Sequence, residues 1–244
     1  MLVSALLPIK NYTDSLVATL DSFARYKQPG IEIIVVHDGG DARLNDALVP
    51  YRDIIDVMIV EADRSIYEAW NKAIRVGRGR FMTFFGAGDV VLENAWPVLL
   101  EHLDDHIDFI VAKSYFYEGD QVLRIIGANP DISKLKTRMP LVFSCALVNR
   151  KIFQRHGDFD PSYQIAGDYE MLLRVSDDFN FLYIDKVLHR IESGGISQRL
   201  IFKTLTETMR AKIAHRVKSR GWCYVDWVWA LLKGYVRIRV LKKI

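Results

Sequence analysis

Four apolar segments rich in valine, isoleucine and phenylalanine are spaced along the first third of the chain. They have the length of β-strands and comprise residues 3–9, 31–36, 56–60 and 81–85. Between them, apolar residues recur at helical spacing, most clearly over residues 13–26 and after Ser65, whose side chain is suited to cap a helix. Strands that alternate with helices predict a mainly parallel sheet covered on both faces and joined by right-handed crossovers.

The pattern changes after residue 106. Further strand-like segments are predicted at 108–113, in a hairpin over 114–126 with its turn at 118–121, and at 140–150. The polar segment between residues 127 and 140 is bounded by glycine and proline, and it predicts a loop. A helix is predicted to begin near Asp168, where the helix dipole favours negative charge.

Residues 199–244 differ from the rest of the chain in charge. They hold 12 lysines and arginines against 2 acidic residues, whereas residues 1–198 hold 21 against 28, so a tail of +10 follows a body of −7. Residues 200–217 predict a helix with Phe202 on its apolar face and Lys212 largely off it. We therefore interpret residues 199–244 as a basic amphipathic helical tail.

The final segment, which contains Trp222, Trp227 and Trp229, has an apolar run of about 11 residues. This run is well short of the roughly 20 residues that cross a bilayer. Tryptophan and tyrosine close to lysine and arginine, here Arg237, Arg239, Lys242 and Lys243, are typical of a helix that lies on a membrane surface. The alternative is a helix that packs on the domain or on a second subunit.

Several chemistries are excluded by what the sequence lacks. Cys145 and Cys223 are the only cysteines and are far apart, so neither a disulfide framework nor a zinc cluster is indicated. Phosphate-loop, zinc-peptidase, nucleophile-elbow and dinucleotide-binding motifs are absent. We expect a cytoplasmic protein, because the cysteine usage suits a reducing compartment and no basic leader precedes the first strand.

Three acidic residues each follow a predicted strand. Asp38 comes after the second strand, Asp63 after the third and Asp89 after the fourth. Ligands of open parallel sheets bind beyond the carboxyl ends of the strands, so these side chains are candidates for a common site. The alternative is ordinary turn and capping chemistry, for which aspartate is also common.

Four stretches together resemble the family 2 glycosyltransferases with a GT-A fold. They are "ALLPIKNY", "IIVVHDGG", "DRSIYEAWNKAIRVGRGRFMTFFGAGD" and "GDFDPSYQIAGDYEMLLR", and the resemblance covers roughly residues 1–198. It implies an α/β, Rossmann-like sheet with a nucleotide-binding half over residues 1–105 and an acceptor-binding half over residues 106–198. The helical tail would follow this domain.

The resemblance also implies roles for individual residues. Asp168 corresponds to the base that takes the proton of the acceptor hydroxyl. The turn at residues 86–89 aligns with the D-x-D metal motif but keeps only its last carboxylate, so Asp89 alone is the expected ligand of Mg²⁺ or Mn²⁺. Contacts with the nucleotide-sugar are expected from Pro8, Asn11, Asp38, Asp63, Lys72, Gly86, Ala87, Gly88, His189 and Arg190. The last two lie in "LHRIESGGISQR", interpreted as a loop that closes over the donor.

The function implied is inverting transfer of a sugar from a nucleotide-diphosphate donor to an acceptor hydroxyl. The expected acceptor is a lipid-linked glycan of a bacterial surface polysaccharide, with the tail resting on the inner face of the plasma membrane. Two alternatives stay open at this point. One is a sugar-phosphate nucleotidyltransferase, although residues 6–14 lack the glycine-rich loop of that class. The other is a non-catalytic module that binds a polyanion, for which the tryptophan-rich tail favours lipid over nucleic acid.

Overall fold

The computed structural model describes the backbone of residues 1–177 and 179–241, and the side chains of these residues up to 233. Lys242 and Lys243 of the predicted basic tail therefore lie outside the described residues, and Arg237 and Arg239 are described by their backbone alone. The strands are β1 (Val3–Pro8), β2 (Ile31–His37), β3 (Val57–Val60), β4 (Phe81–Phe84), β5 (Val90–Val91), β6 (Phe109–Glu118), β7 (Gln121–Ile126), β8 (Leu147–Asn149) and β9 (Phe181–Glu192). The α-helices are α1 (Asp14–Tyr26), α2 (Ala42–Leu48), α3 (Ile66–Val76), α4 (Ala95–Glu101), α5 (Arg150–His156), α6 (Gly167–Arg174), α7 (Ile196–Arg199), α8 (Ile201–Ala214) and α9 (Arg220–Leu241).

In the described part of the chain, the nine strands form a single mixed sheet. Its order is β3-β2-β1-β4-β8-β6-β9-β5, and β7 pairs with the outer part of β6. Strands β3, β2, β1 and β4 are parallel to one another. Strand β8 is antiparallel to β4 and β6, whereas β6 and β9 are parallel. The mainly parallel α/β sheet predicted from the sequence is confirmed, and it runs through both halves of the expected domain.

Helices cover both faces of this sheet because the buried strands alternate their apolar side chains. Ile34 and Val36 of β2 pack with α3 and α6 on one face, while Ile33 and Val35 pack with α1, α2 and α4 on the other. Ser65 caps α3 by accepting a hydrogen bond of 3.2 Å from the amide of Glu68, as predicted. Because the helices cover the faces of the sheet, the edge at the carboxyl ends of the parallel strands is available for a ligand-binding site.

A buried carboxylate fixes the connection between α3 and β4. Glu32 lies within β2, is fully buried, and accepts hydrogen bonds from the Ser4 hydroxyl at 2.6 Å and the Gly79 amide at 3.0 Å. Its other oxygen pairs with the Arg78 guanidinium at 3.0 Å. A Cβ at Gly79 would overlap the backbone of Ser4, so only glycine fits this connector.

Two sequence predictions in the second half are wrong in their extent. The predicted strand over residues 140–150 is confined to Leu147–Asn149, since the chain before it bends so that the Cys145 amide bonds to the Phe84 carbonyl. The expected closing loop over residues 188–199 begins inside β9, which continues to Glu192 because its register with β6 extends that far. The hairpin of β6 and β7 is confirmed, with its turn between Glu118 and Gln121.

The buried face of α8 differs from the predicted apolar face. Glu207, Ala211 and Lys212 are buried, whereas Phe202 is exposed over 60% of its surface. Lys212 can be buried because it donates to the Thr137 carbonyl at 2.7 Å, which replaces hydration of the ammonium. Helix α9 packs on α8. No helix in the described residues is long and apolar enough to cross a membrane.

Candidate active site

The three acidic residues identified from the sequence follow strands that end at the same edge of the sheet. Pairing of Pro8 with Val36, and of His37 with Val60, brings the carboxyl ends of β1, β2 and β3 level. Strand β4 ends beside β1 in the same direction. Asp38, Asp63 and Asp89 therefore emerge at one rim, as the sequence predicts.

Asp38 and Asp63 interact electrostatically at this rim. Burial raises the pKa of Asp63, and the carboxylates of Glu68 and Asp38 raise it further. The ammonium groups of Lys72 and Lys10 oppose this shift. Asp63 is partly buried, whereas Asp38 is exposed. Two carboxylates flanked by two lysines thus lie on the β2–β3 side of the rim, where the carboxylate oxygens can accept hydrogen bonds from hydroxyls.

Lys72 has internal partners in this structure. Its ammonium donates to the Ala62 carbonyl and pairs with the Glu61 carboxylate at 3.3 Å, with only 10% of its side chain exposed. It thereby fixes the loop that carries Asp63. Asn11 lies exposed in the loop after β1, where the Tyr12 amide is held by the Asp41 carboxylate at 2.8 Å.

Asp89 is buried in the turn between β4 and β5. Its carboxylate accepts a hydrogen bond of 2.7 Å from the Gly86 amide, and further bonds from the Glu192 amide and the Ser144 hydroxyl. Burial raises the pKa of Asp89 to about 7 against these donors, and the nearby Glu192 carboxylate contributes in the same direction. Two carboxylates, those of Asp89 in the turn and Glu192 at the end of β9, therefore lie close together, whereas the sequence predicted Asp89 alone.

The sheet register explains why Glu192 reaches this turn. Val90 of β5 pairs with Arg190 of β9, and continuing the same antiparallel register by two residues sets Gly88 opposite Glu192. Gly88 has a φ of 101°, in the left-handed region, and a Cβ there would overlap the Glu192 carboxylate. Its amide donates to the Thr19 hydroxyl at 2.9 Å. Glycine at position 88 is thus required both by the turn and by Glu192.

His189 and Arg190 are the two contacts with the nucleotide-sugar that were expected from the closing loop. Both lie in β9, and their side chains point in opposite directions. His189 is buried against the Phe85 ring, with centroids 6.1 Å apart, and burial lowers its pKa to about 3, so the imidazole is neutral. The guanidinium of Arg190 lies 4.2 Å from the centroid of Tyr117, whose hydroxyl donates to the Gly88 carbonyl. Arg190 is therefore the cation beside the turn. Its buried Nε has no acceptor among the described residues.

Asp168 lies in the first turn of α6, but Ala166 occupies the N-cap position, so Asp168 is not the capping residue. Its Oδ1 accepts a hydrogen bond of 2.8 Å from the Tyr169 amide and lies 3.2 Å from the Tyr67 hydroxyl. Burial raises the pKa of Asp168 to about 6, with these two donors opposing the shift. Most of the carboxylate is ionised at neutral pH, as a general base requires.

Gly167 directly precedes Asp168 and is the first residue of α6. A Cβ at this position would overlap the Tyr67 ring, which packs directly over the start of α6. The same ring places the hydroxyl that contacts Asp168. The Tyr67 ring therefore requires glycine at position 167, and its hydroxyl contacts the carboxylate at position 168.

An aromatic cluster connects the surroundings of Asp168 with those of Asp89. Its ring pairs are Tyr67–Trp70 at 5.5 Å, Trp70–Phe84 at 4.9 Å and Phe84–Phe143 at 5.2 Å between centroids. Tyr67 contacts Asp168, and Phe143 precedes Ser144, the hydroxyl donor to Asp89. The two carboxylates are thus held on one packed unit of the core.

A sheet of this topology, with acidic residues at its carboxyl rim and a further carboxylate at the start of a following helix, agrees with the GT-A type sugar transferase that the sequence resemblance implies. The model of Glycosyl transferase family 2 matches residues 4–157. The chain belongs to this family, whose members are inverting glycosyltransferases that use nucleotide-sugar donors. Of the functions left open by the sequence, the nucleotidyltransferase and the non-catalytic binding module are thereby set aside.

Individual relatives are distant in sequence. The chain is 23% identical over 214 residues to the PGL/p-HBAD biosynthesis glycosyltransferase of Mycobacterium bovis, covering 82% of this chain and 80% of the relative. Among solved structures, S. aureus TarS 1–349 in complex with UDP superposes with a TM-score of 0.70 at 15% identity, over 95% of this chain and 71% of TarS. Mannosyltransferase PcManGT from Pyrobaculum calidifontis, in complex with GDP-Man and Mn²⁺, gives 0.63 at 13% identity, over 96% and 75%. These structures establish the GT-A fold.

Proposed function

We propose that this glycosyltransferase moves a sugar from a nucleoside-diphosphate donor to a hydroxyl of a lipid-linked glycan at an anionic membrane surface. The observation that carries the proposal is that Asp38, Asp63 and Asp89 each follow a strand that ends at the same sheet edge, with the Glu192 carboxylate close to Asp89 and the Arg190 guanidinium over the nearby Tyr117 ring. The uridine and guanosine nucleotides bound by TarS and PcManGT support testing these two bases first.

The donor would lie along the rim with its nucleoside toward Asp38 and Asp63. These carboxylates accept hydrogen bonds from sugar hydroxyls, and the adjacent Lys10 balances their charge. The diphosphate would then lie near the β4–β5 turn. There Arg190 offers a planar guanidinium, the group best suited to phosphate oxygens.

The residues of the turn fit a divalent cation. No three histidine, cysteine or acidic side chains gather into a metal cage within the described part of the chain. However, the buried Asp89 carboxylate lies close to the partly buried Glu192 carboxylate, an arrangement that is costly without a compensating positive charge. Mg²⁺ typically takes one or two protein carboxylates, and phosphates and waters complete its shell. Such an ion, when bound, would neutralise charge that develops on the leaving diphosphate.

Asp168 is proposed as the general base. It would accept the proton of the acceptor hydroxyl while the acceptor oxygen forms a bond to the anomeric carbon. The bond from that carbon to the diphosphate oxygen breaks, and its electron pair leaves with the diphosphate. Attack from the face opposite the leaving group inverts the anomeric centre, as the family requires.

The rate is expected to rise with pH through the titration of Asp168. Below a pH of about 6 this carboxyl is protonated and cannot accept a proton, so kcat/KM should fall tenfold per pH unit there and level off above pH 7. Tyr67→Phe removes a hydroxyl that favours the ionised carboxylate, so the midpoint should move to higher pH. Initial rates between pH 5 and 8, with circular dichroism as a folding control, test this. A midpoint that Tyr67→Phe leaves in place or lowers would contradict it.

The nucleotide is identified by a thermal-shift screen of uridine, guanosine and thymidine diphosphates, each with and without Mn²⁺. One nucleotide should raise the melting temperature in a cation-dependent manner, because ligands that bind only the folded state stabilise it. Turnover of the matching nucleotide-sugar, followed by NMR, then confirms transfer and inversion. Stabilisation by none of the three would remove the support for a donor site at this rim.

Helix α9 supports the membrane part of the proposal. Trp222, Val225, Trp229 and Leu232 are each more than half exposed and recur at helical spacing on one face. The opposite side is attached to α8, where Cys223 is buried and the Trp227 indole donates to Thr206 at 3.3 Å. Two aromatic rings on an outward face within a basic segment suit an interface rich in anionic lipid.

Binding to vesicles should depend on this outward face. We expect the protein to float with phosphatidylglycerol vesicles and not with phosphatidylcholine alone. Replacing both Trp222 and Trp229 by serine should weaken the association at least about tenfold, because each ring buries a large apolar area in the interface. Ile125→Ser, at an equally exposed apolar position on β7, is the matched control and should float like the wild type. Equal flotation of all three proteins would refute the membrane assignment.

A further inference from the structure

Helix α8 contacts the loop before Asp168 through one buried carboxylate. Glu207 is 7% exposed and accepts hydrogen bonds from three consecutive backbone amides, those of Gln164, Ile165 and Ala166. The distances are 3.1 Å from Gln164, 2.8 Å from Ile165 and 3.0 Å from Ala166. The side chain thus holds the backbone that immediately precedes Gly167 and Asp168.

The arrangement is stabilised by charge. Hydrogen bonds from amides to an ionised carboxylate are about twice as strong as bonds between neutral groups. The first amides of a helix have no partners within it, and Ala166, the N-cap of α6, has no side-chain cap. The Glu207 carboxylate of α8 accepts from the amide of Ala166 itself and from the two amides before it, and its charge also suits the positive end of the α6 dipole.

Other contacts of α8 brace the same region from the side. The Arg210 guanidinium stacks on the Tyr163 ring at 3.6 Å, and His215 lies 2.8 Å from the Glu170 carboxylate in α6. Lys203 contacts the side chain of Gln164 and not its backbone. Among these residues of the tail, only Glu207 bonds to the main chain leading into Asp168. The Tyr67 hydroxyl donates to the Ile165 carbonyl at 2.7 Å, so Glu207 and Tyr67 together hold this segment.

We propose that Glu207 is a positioning residue for Asp168, holding the backbone of residues 164–166 so that the base is directed toward the acceptor hydroxyl. The inference rests on the proposed function, in which Asp168 is that base. It extends the active site to a helix outside residues 4–157, the part matched by the family model. A misplacement of about 1 Å at a reacting group can cost 10²-fold in rate, so a residue that fixes this backbone has a large effect on turnover.

Glu207 also acts on Asp168 through its charge. The groups that face Asp168 are the Tyr67 hydroxyl of α3, the Tyr169 amide of α6 and the Glu207 carboxylate of α8. The first two favour ionisation of Asp168, whereas burial and then Glu207 disfavour it. Removing the charge at position 207 should therefore lower the pKa of Asp168. This shift tests whether the Glu207 carboxylate lies close to Asp168, whereas the fall in kcat at unchanged donor KM tests whether it positions the base.

The experiment compares three variants of the full chain. Glu207→Ala removes the acceptor, Glu207→Gln keeps one oxygen but no charge, and Lys203→Ala, which loses only a side-chain contact with the same loop, is the matched control. We expect kcat to fall about 10²-fold in Glu207→Ala and about tenfold in Glu207→Gln, with the donor KM unchanged, because the hydrogen bonds of Glu207 go to the backbone of residues 164–166 and not to the donor-side residues Asp38, Asp63 and Asp89. Lys203→Ala should retain wild-type kinetics.

Two further measurements do not depend on turnover. Carboxyl ¹³C NMR of aspartate-labelled protein, with the Asp168 signal assigned from Asp168→Asn, should show a midpoint of about 6 in the wild type and a lower one in Glu207→Gln. Hydrogen exchange at the amides of Ile165 and Ala166 should be faster in Glu207→Ala than in Lys203→Ala. If Glu207→Ala fails to fold, the titration of Glu207→Gln still decides the question.

The outcomes separate the two levels of the proposal. If Asp168→Asn is inactive while Glu207→Gln keeps the wild-type midpoint and kcat, Glu207 is not a positioning residue and the proposed function stands. If Asp168→Asn retains turnover, the assignment of the base fails, and the role of Glu207 falls with it. A raised donor KM as the main effect of Glu207→Gln would also overturn the inference, since it would indicate a general distortion of the domain.

Discussion

Replacing Asp168 by asparagine is expected to lower kcat about 10³-fold and to leave the melting temperature in the presence of the donor nucleotide nearly unchanged. General bases contribute about 10²–10⁴-fold to such reactions. The amide oxygen of asparagine can still accept the hydrogen bond from the Tyr169 amide, so the geometry of α6 should persist. Steady-state transfer rates together with nucleotide-dependent melting curves measure the two effects separately.

The matched control is Asp160→Asn, in the segment that leads to α6. Asp160 is exposed and accepts a hydrogen bond of 2.9 Å from the Ser162 amide, so it has a local capping role of its own. Its asparagine variant should keep wild-type activity. If Asp168→Asn retained more than about a third of wild-type kcat, the proton would have to leave by another route, and Asp168 would be no more than a residue of the helix start.

The first half of the fold was predictable because its signals are local. Strand periodicity, the cap at Ser65 and the acidic residues after β2, β3 and β4 all lie within short windows. Parallel topology then brings Asp38, Asp63 and Asp89 to one edge without further information. Tyr67, within the same predicted helix, was quoted in the motif, but its contact with Asp168 depends on a partner 101 residues away.

The remaining parts of the site depend on contacts that no short window contains. Glu192 reaches the Asp89 turn through the register of β5 on β9, and Ser144 reaches it because the chain bends before β8. His189 shows that the direction of a side chain also depends on the strand around it. A histidine next to an arginine near a strand end suggests a ligand contact, yet alternation along β9 turns its side chain into the core against Phe85.

The buried face of α8 differs from its predicted apolar face because hydrophobic periodicity takes no account of charged side chains that find buried partners. Burial of Glu207 and Lys212 requires acceptors and donors supplied by residues 164–166 and 137, which lie far away in sequence. A weaker signal was present. Residues 199–244 contain 12 basic residues and only two acidic ones, Glu207 and Asp226. A rare carboxylate in a basic segment is a candidate for a specific partner, and Asp226 likewise pairs with Lys218 at 2.7 Å.

Replacing Asp89 by alanine is expected to abolish cation-dependent stabilisation by the donor nucleotide and to lower kcat about 10²–10³-fold. The variant removes one of two adjacent carboxylates at the turn, and a divalent cation is worth several kcal/mol to a leaving diphosphate. It also leaves the Gly86 amide and the Ser144 hydroxyl without their acceptor, which should cost about 1–3 kcal/mol of folding free energy. Melting curves with and without Mn²⁺ record both effects.

Asp89→Asn and Glu192→Gln separate the structural part of this effect from the electrostatic part. Asparagine can still accept the hydrogen bond from the Gly86 amide, so the melting temperature of ligand-free Asp89→Asn should lie closer to that of the wild type than to that of Asp89→Ala. The response of Asp89→Asn to Mn²⁺ should still be absent. Glu192→Gln keeps the backbone bond to Asp89 and removes only the second charge, so the Mn²⁺ response should weaken without disappearing. If Asp89→Asn responded to Mn²⁺ like the wild type, Asp89 would be a turn residue alone, and the diphosphate would have to be neutralised by Arg190.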